Sequence, residues 1–372
     1  MKFKPFYKNF EKFTGGSSIL TSEGFRYKHA RNAIMPAFGR HSFHRMTTLA
    51  TQIVDEWVNT KLQAASENRE SLDVVHELQR VTVQVISEIA FDYKMSDDQI
   101  TDSIEALRVH LQEYLKDNIL NPTREYLWFL YPKAKAAREA RAFHLKHASA
   151  VLEAHRENGD KAIKGIIIDT IDKNPDYVND FDRLSDITLF IGAGFETTAG
   201  TLSWALYLLA KDNEYQTKLR DTLRSVSDEE GWQHQMLKYT IRETMRLYPA
   251  TAVGIPKVVA EDILHDGIRV PKGSIVVIPP YAIHRDGDIF DKPNDFIPSR
   301  WENASIEMQQ AYHPFSLGRR NCMGMALANI ELQIVLATLV KKFEFTILEE
   351  GISSYNFTLL PVGLRMGITN AV

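Results

Sequence analysis

A lone cysteine is either a small buried hydrophobe or a thiolate that binds metal or attacks a substrate. Cys322, the single cysteine of the chain, lies in FSLGRRNCMGMALANIELQIVLATLVKKF, residues 315–343, where a glycine-containing loop runs into an apolar helical stretch. At the start of that helix, unpaired backbone N–H groups and the positive end of the dipole favour a thiolate. Gly318 and Gly324 allow a tight turn and a close approach to a flat ligand, while Arg319 and Arg320 bring positive charge that can reach carboxylates. A thiolate so placed is a soft ligand suited to iron. With no second cysteine there is neither an intramolecular disulfide nor a cysteine-rich zinc site, as fits a reducing compartment.

A second constellation, Ala193-Gly194-Phe195-Glu196-Thr197-Thr198, occupies the middle of ITLFIGAGFETTAGTLSWALYLLA, residues 187–210, in which Glu196 is the one charge. Threonine hydroxyls bond the carbonyl one turn back and glycine leaves space beside a helix. The stretch therefore suits either a groove for a small ligand and a water, or plain packing and self-satisfied backbone. Its length would span a bilayer, but a central charge among threonines suits a helix buried in a large protein core. A third, Glu243 and Arg246 in IRETMRLYP, shares a helix face at i, i+3. Alone, such a pair contributes about 0.2–0.5 kcal/mol; Arg300 in FIPSRW (296–301) offers the partner that would make it a network.

The elements that must position these groups are mostly helical. Apolar residues recur at three- and four-residue spacing over residues 25–250, for example in segments 71–93 and 217–226, and helix α-forming character returns ahead of residue 343. Strand character is confined to 267–285 and 353–368. This predicts one mainly α domain over residues 1–372, a helical body with a small late β region, and no nicotinamide-binding fold, since no G-x-G-x-x-G follows an early strand. A net charge of −4 gives no pull toward nucleic acid. The start, MKFKPFYKNFEKF, interleaves Lys2, Lys4, Lys8 and Lys12 with five aromatics but has no continuous apolar core. It is neither a signal peptide nor a span; it reads as an amphipathic segment, solvated or in peripheral contact with a membrane.

Phe315, Gly318, Arg320, Cys322 and Gly324 fit F-x-x-G-x-R-x-C-x-G in full, and the chain thereby resembles the cytochrome P450 family. The resemblance implies the fold of that family and a haem b (iron protoporphyrin IX) cofactor. It implies Cys322 as axial iron ligand, Arg320 on a propionate, Phe315 packed near the sulfur, and Gly318 and Gly324 shaping the loop. Residues 193–198 resemble the family's A/G-G-x-D/E-T-T stretch, which implies Gly194 beside the haem, Thr197 stabilising dioxygen and Glu196 in proton delivery. Glu243, Arg246 and Arg300 are similar to its E-x-x-R network, with Ser299 where a glutamate is usual. YKHARNAIMPAF resembles its W-x-x-x-R helix, so that Arg31 and Tyr27, at the tryptophan position, would bind propionates; Lys257 in GIPKVV stands where arginine is general. His284 and Pro271-Lys272-Gly273 follow its late-strand pattern, or are ordinary packing and turn residues.

The implied reaction is insertion of one atom of dioxygen into a small hydrophobic substrate. Electrons would come from a separate flavoprotein reductase or ferredoxin, and the protein would act as a monomer without nucleic acid. Pocket-lining stretches would be Phe190 to Thr197, Ala250 to Ile255 and the region of Phe357. Two other readings stay open: a haem-thiolate isomerase or dehydratase, against which Thr197 counts, and an inactive haem-binding remnant. The wording PFSLGRRNCMG is closest to the eukaryotic microsomal branch. About twenty residues precede Thr21, where most members carry an anchor or a first β-sheet. A short or incomplete amino terminus is therefore expected, soluble as given on the cytoplasmic side, with endoplasmic-reticulum association if an anchor lies upstream.

Overall fold

A computed structural model describes residues 2–114 and 126–371. The amino-terminal segment forms α1 (Lys4–Thr14), whose aromatic face turns inward: Phe10 and Phe13 are buried, with the Phe10 ring 5.0 Å from Phe357 and that of Phe13 5.1 Å from His110. Its amphipathic pattern is thus that of a helix packed on its own core, and these aromatics are not presented to a membrane. Next come α2 (Gly24–Ile34), α3 (Phe43–Trp57), α4 (Val74–Phe91) and α5 (Pro132–Asn158). The centre of the fold is α6 (Asp180–Lys211), followed by α7 (Gln235–Leu247) and, after the cysteine loop, α8 (Met325–Lys342).

α6 can be apolar on nearly every side because α4, α5 and α8 all pack against it. Its ends obey local rules. Asn179 accepts from the Asp182 backbone N–H, Asp180 and Asp182 sit in the first turn, and Lys211 closes the last. α4 starts the same way, with the Asp73 carboxylate accepting from His76 N–H. Among the described residues no helix is long and apolar enough to cross a membrane, so segment 187–210 is a core helix.

The strands are placed differently from what the sequence suggested. β1 (Ser71–Asp73) takes the first residues of the expected 71–93 helix and pairs antiparallel with the carboxyl-terminal strand. In the 267–285 patch only β4 (Ile268–Val270) and β5 (Ile275–Val276) form, each paired with a strand that lies before it: β5 with β2 (Lys257–Val258) and β4 with β3 (Ile263–His265). A helical turn, Pro280–Ile283, then replaces strand, because Pro279 and Pro280 have no N–H to give a ladder. β6 (Phe343–Tyr355) and β7 (Leu359–Asn370) form the final hairpin, in order β1-β7-β6 and starting well before residue 353. Alternation had been hidden there by exposed residues on both faces of the distal part of β6.

One residue of α8 breaks the apolar rule. Glu331 is buried, its Oε1 has no partner among the described residues, and burial pushes its carboxyl well above the usual range. The folded state therefore holds a proton that the unfolded chain releases, so stability falls as pH rises above the ordinary glutamate range. Glu331→Met should raise stability by about 1–3 kcal/mol at pH 8 and by much less at pH 5, read from thermal melts of the two proteins at both pH values.

Candidate active site

The cysteine loop is closed by a single backbone bond, Cys322 N–H to Phe315 O at 3.0 Å. Between them the chain reverses through two left-handed residues, Ser316 at φ 61° and Gly318 at φ 73°. Gly318 is thus required by the backbone, whereas Gly324, at φ −80°, is not. Gly324 instead turns its N–H to the Cys322 sulfur and forms the cap of α8. Phe315 is half-buried against the main core.

Met323 and Gly324 separate Cys322 from α8, so the sulfur lies outside the first helical turn. The cysteine reaches the surface, but packed atoms on its other sides keep water away. That desolvation pushes the thiol pKa up, opposed by the Gly324 N–H and the charge of Arg31. The expectation that the helix terminus alone would favour a thiolate is thereby corrected. A bound metal ion, which replaces the proton outright, is what would make it one.

Positive charge gathers beside this loop. Arg31 on α2 donates to the Asn321 carbonyl at 3.0 Å, to Asn321 Oδ1 at 2.5 Å and to Tyr27 Oη at 3.1 Å. Arg320 lies 3.3 Å over the Tyr27 ring and donates to Ser22 O at 2.9 Å. Lys257 is exposed at the start of β2. Tyr27 departs from its expected role: its hydroxyl donates to Arg319 O at 2.6 Å, so its proton ties α2 to the loop and is not free for a propionate.

On α6, every residue from Ser185 to Leu206 is buried except Ala193, Gly194 and Thr197. Thr197 Oγ1 donates to Ala193 O at 2.9 Å. Glu196 is buried and accepts from Thr358 Oγ1 at 2.7 Å. The space expected beside Gly194 is filled. A Cβ there would come within 2.7 Å of Ile86 Cγ1, so this glycine lets α4 approach and makes no groove for a ligand.

Behind the loop, Glu243 is fully buried and collects five donors. Arg246 Nε and Nη2 donate to it at 2.9 and 2.8 Å, Arg300 Nε at 2.9 Å, Trp301 Nε1 at 2.9 Å and Ile297 N–H at 3.0 Å. Arg246 also donates to the carbonyls of His284, Pro293 and Asp295, and Arg300 to those of Asp291 and Lys292.

An accessible thiol, cations beside it and an opening in α6 are a donor set that fits haem b: a soft axial ligand for iron, positive charge for two propionates and an apolar helix face for the ring. The model of the cytochrome P450 family matches residues 2–362. The chain belongs to that family. Its cofactor is accordingly haem b and it is a cytochrome P450 monooxygenase. Cytokinin hydroxylase of Arabidopsis thaliana is 27% identical to it over 356 residues, covering 90% of this chain and 67% of that one. Cytochrome P450 4F11 of Homo sapiens is 27% identical over 361 residues, covering 88% and 68%. The crystal structure of a cytochrome P450, CYP102L1, superposes with a TM-score of 0.80 at 21% identity, over 99% of this chain and 84% of that one.

Trp301 and Asn321 went unassigned in the sequence, and His284 was named there without a partner. Trp301 completes the Glu243 shell, Asn321 is the acceptor for Arg31, and His284 accepts from His313 N–H at 2.9 Å through Nε2. Burial, helped by repulsion from His313, lowers the His284 pKa to about 4, which keeps it a neutral acceptor at physiological pH. Only Trp301 carried a signal, an indole N–H inside an otherwise recognised motif. Arg246→Ala should cost about 3–5 kcal/mol, because it takes two of five donors and one of two cations from a fully buried carboxylate, whereas the exposed Ser299→Ala should stay within about 0.5 kcal/mol. Thermal melts and haem content of the purified variants check both values.

Proposed function

We propose that this cytochrome P450 is a single-domain enzyme that inserts one atom of dioxygen into a small apolar organic substrate, using electrons from a separate flavoprotein reductase or ferredoxin. Two observations carry the reading: an accessible Cys322 thiol, and a central helix whose buried stretch, Ser185 to Leu206, is interrupted only at Ala193, Gly194 and Thr197. The name of the Arabidopsis relative, a hydroxylase, supports oxygen insertion.

Bound haem b supplies the dioxygen chemistry. Cys322 would hold its iron through the thiolate, with the amide fixed on Phe315 O and the sulfur facing the Gly324 N–H. Arg31, Arg320 and Lys257 would hold the propionates by charge. Thr197 gives its proton to Ala193 O and keeps its lone pairs to accept another, so rotation of one hydroxyl can pass a proton along the open face of α6. Glu196 is the buried carboxylate of that route, oriented by Thr358 from the final hairpin. Phe190, Ile191 and Phe195, all buried, exclude water from the same stretch of helix. A hydroxyl at position 197 is of no use to an isomerase that takes no dioxygen, which favours the monooxygenase.

The reduced, carbon monoxide-treated protein should show the long-wavelength Soret band of thiolate ligation, and Cys322→Ser should lose it; a band retained by that variant overturns the ligand assignment. In Thr197→Ala, product formed per electron consumed should drop at least about tenfold, with the missing equivalents recovered as hydrogen peroxide. Unchanged coupling would remove Thr197 from the proton route.

A further inference from the structure

We infer that Lys2 is an additional haem-propionate residue, brought to the cofactor edge by the amino-terminal segment; the inference rests on the haem assignment above. The Lys2 ammonium donates to the carbonyls of Leu20 and Ser22, the latter at 2.7 Å, and lies 4.5 Å from the centroid of the Tyr7 ring. Arg320, the motif arginine, donates to the same Ser22 carbonyl at 2.9 Å. One neutral oxygen therefore gathers two cations, and Arg31 adds a third charge that Arg320 feels.

The local carboxylates do not cancel this charge. Glu23 spends Oε1 on the Lys2 backbone N–H at 3.1 Å, and Glu11 acts on the ammonium only at longer range. Burial, and then Arg320, bring the Lys2 pKa down to about 7, so holding this ammonium here costs the protein. Nor is its place accidental. The Lys2 backbone forms an antiparallel bridge with Lys257 at β2, and Phe10 and Phe13 anchor the helix that follows. A rigidly held, partly desolvated ammonium beside a like charge is stabilised by an anion set between the two. A carboxylate at the edge of a flat cofactor is that anion, and a propionate of haem b supplies it.

The test titrates wild type, Lys2→Met and Lys2→Arg of the full chain, freed of haem, with haem b and with its dimethyl ester, whose propionates are uncharged. Lys2→Met should bind haem b about tenfold more weakly than wild type, the scale of one charge-assisted hydrogen bond, while Lys2→Arg stays within about twofold. The ester should bind wild type and Lys2→Met equally. Equal haem b affinity in wild type and Lys2→Met overturns the inference, as does an equal loss for haem and ester, which would mark Lys2 as a packing residue. A wild type that takes up no haem, or takes it up without the thiolate Soret band after reduction and carbon monoxide treatment, overturns the haem-thiolate assignment itself, and that outcome is read before any variant is compared.

Discussion

A charged carboxylate without water must be surrounded by donors, and in this protein Glu243 meets that demand with groups from both sides of the chain reversal ahead of the cysteine. Two arginines on one carboxylate leave positive charge over, and it is spread onto the carbonyls of residues 284–295. That loop has little regular structure of its own, so these bonds define its path. The order continues toward the sulfur. Trp301 packs its ring 4.8 Å from Tyr312, Tyr312 lies 5.4 Å from His284, and His284 accepts the His313 N–H. His313 O in turn accepts from Ser316, where the turn begins that ends at Cys322. The position of the sulfur is therefore set by a carboxylate far from it in sequence, through contacts none of which touches the cysteine.

α6 meets an opposite demand, since a straight, fully hydrogen-bonded helix offers a ligand nothing. Here hydroxyls load its carbonyls in succession: Thr197 donates to Ala193, Thr198 to Gly194, Thr201 to Thr197 and Ser203 to Ala199, while Thr82 reaches across from α4 to Phe195 at 2.9 Å. Each extra donor competes with the ladder bond at that carbonyl and loosens the helix locally. The hydroxyl-loaded stretch includes Ala193, Gly194 and Thr197, the residues left partly exposed within the buried length of the helix. Gly194 contributes by admitting Ile86 on the other side, which presses α4 close enough for the Thr82 bond.

What could be read in the sequence was whatever is encoded within a few residues. The F-x-x-G-x-R-x-C-x-G spacing, the i, i+3 pair of Glu243 and Arg246, and the apolar run of α6 each carry their meaning locally, and the fold class and the buried triad followed from them. The partners left unread share another cause. Glu196 and Thr358 are 162 positions apart, Tyr27 and Arg319 are 292 apart, and no periodicity shows which side chain meets which. Tyr27 was read as part of a helix, yet its proton goes to a carbonyl that only the folded chain brings near. β1 and the early start of β6 were missed for a related reason: three residues, or a strand exposed on both faces, give no alternation to detect.

The same limit explains why the amino terminus reads ambiguously and folds definitely. A helix with aromatics on one side and lysines on the other suits a membrane surface and a protein core equally well, and only Phe357, His110 and His144 on the far side of Phe10 and Phe13 decide the matter. With the aromatics fixed inward, the lysine that precedes them is carried to the cysteine loop. There the acceptors distinguish two kinds of cation in this molecule. Arg246 and Arg300 are matched to a carboxylate, and their charge is consumed by the fold. Arg31 donates to a carbonyl, a side-chain amide and a phenol, and Arg320 and Lys2 to carbonyls. These acceptors orient a cation without neutralising it, so the field of all three points at whatever lies along that edge. An anionic cofactor edge is stabilised there by charge the protein itself leaves uncompensated.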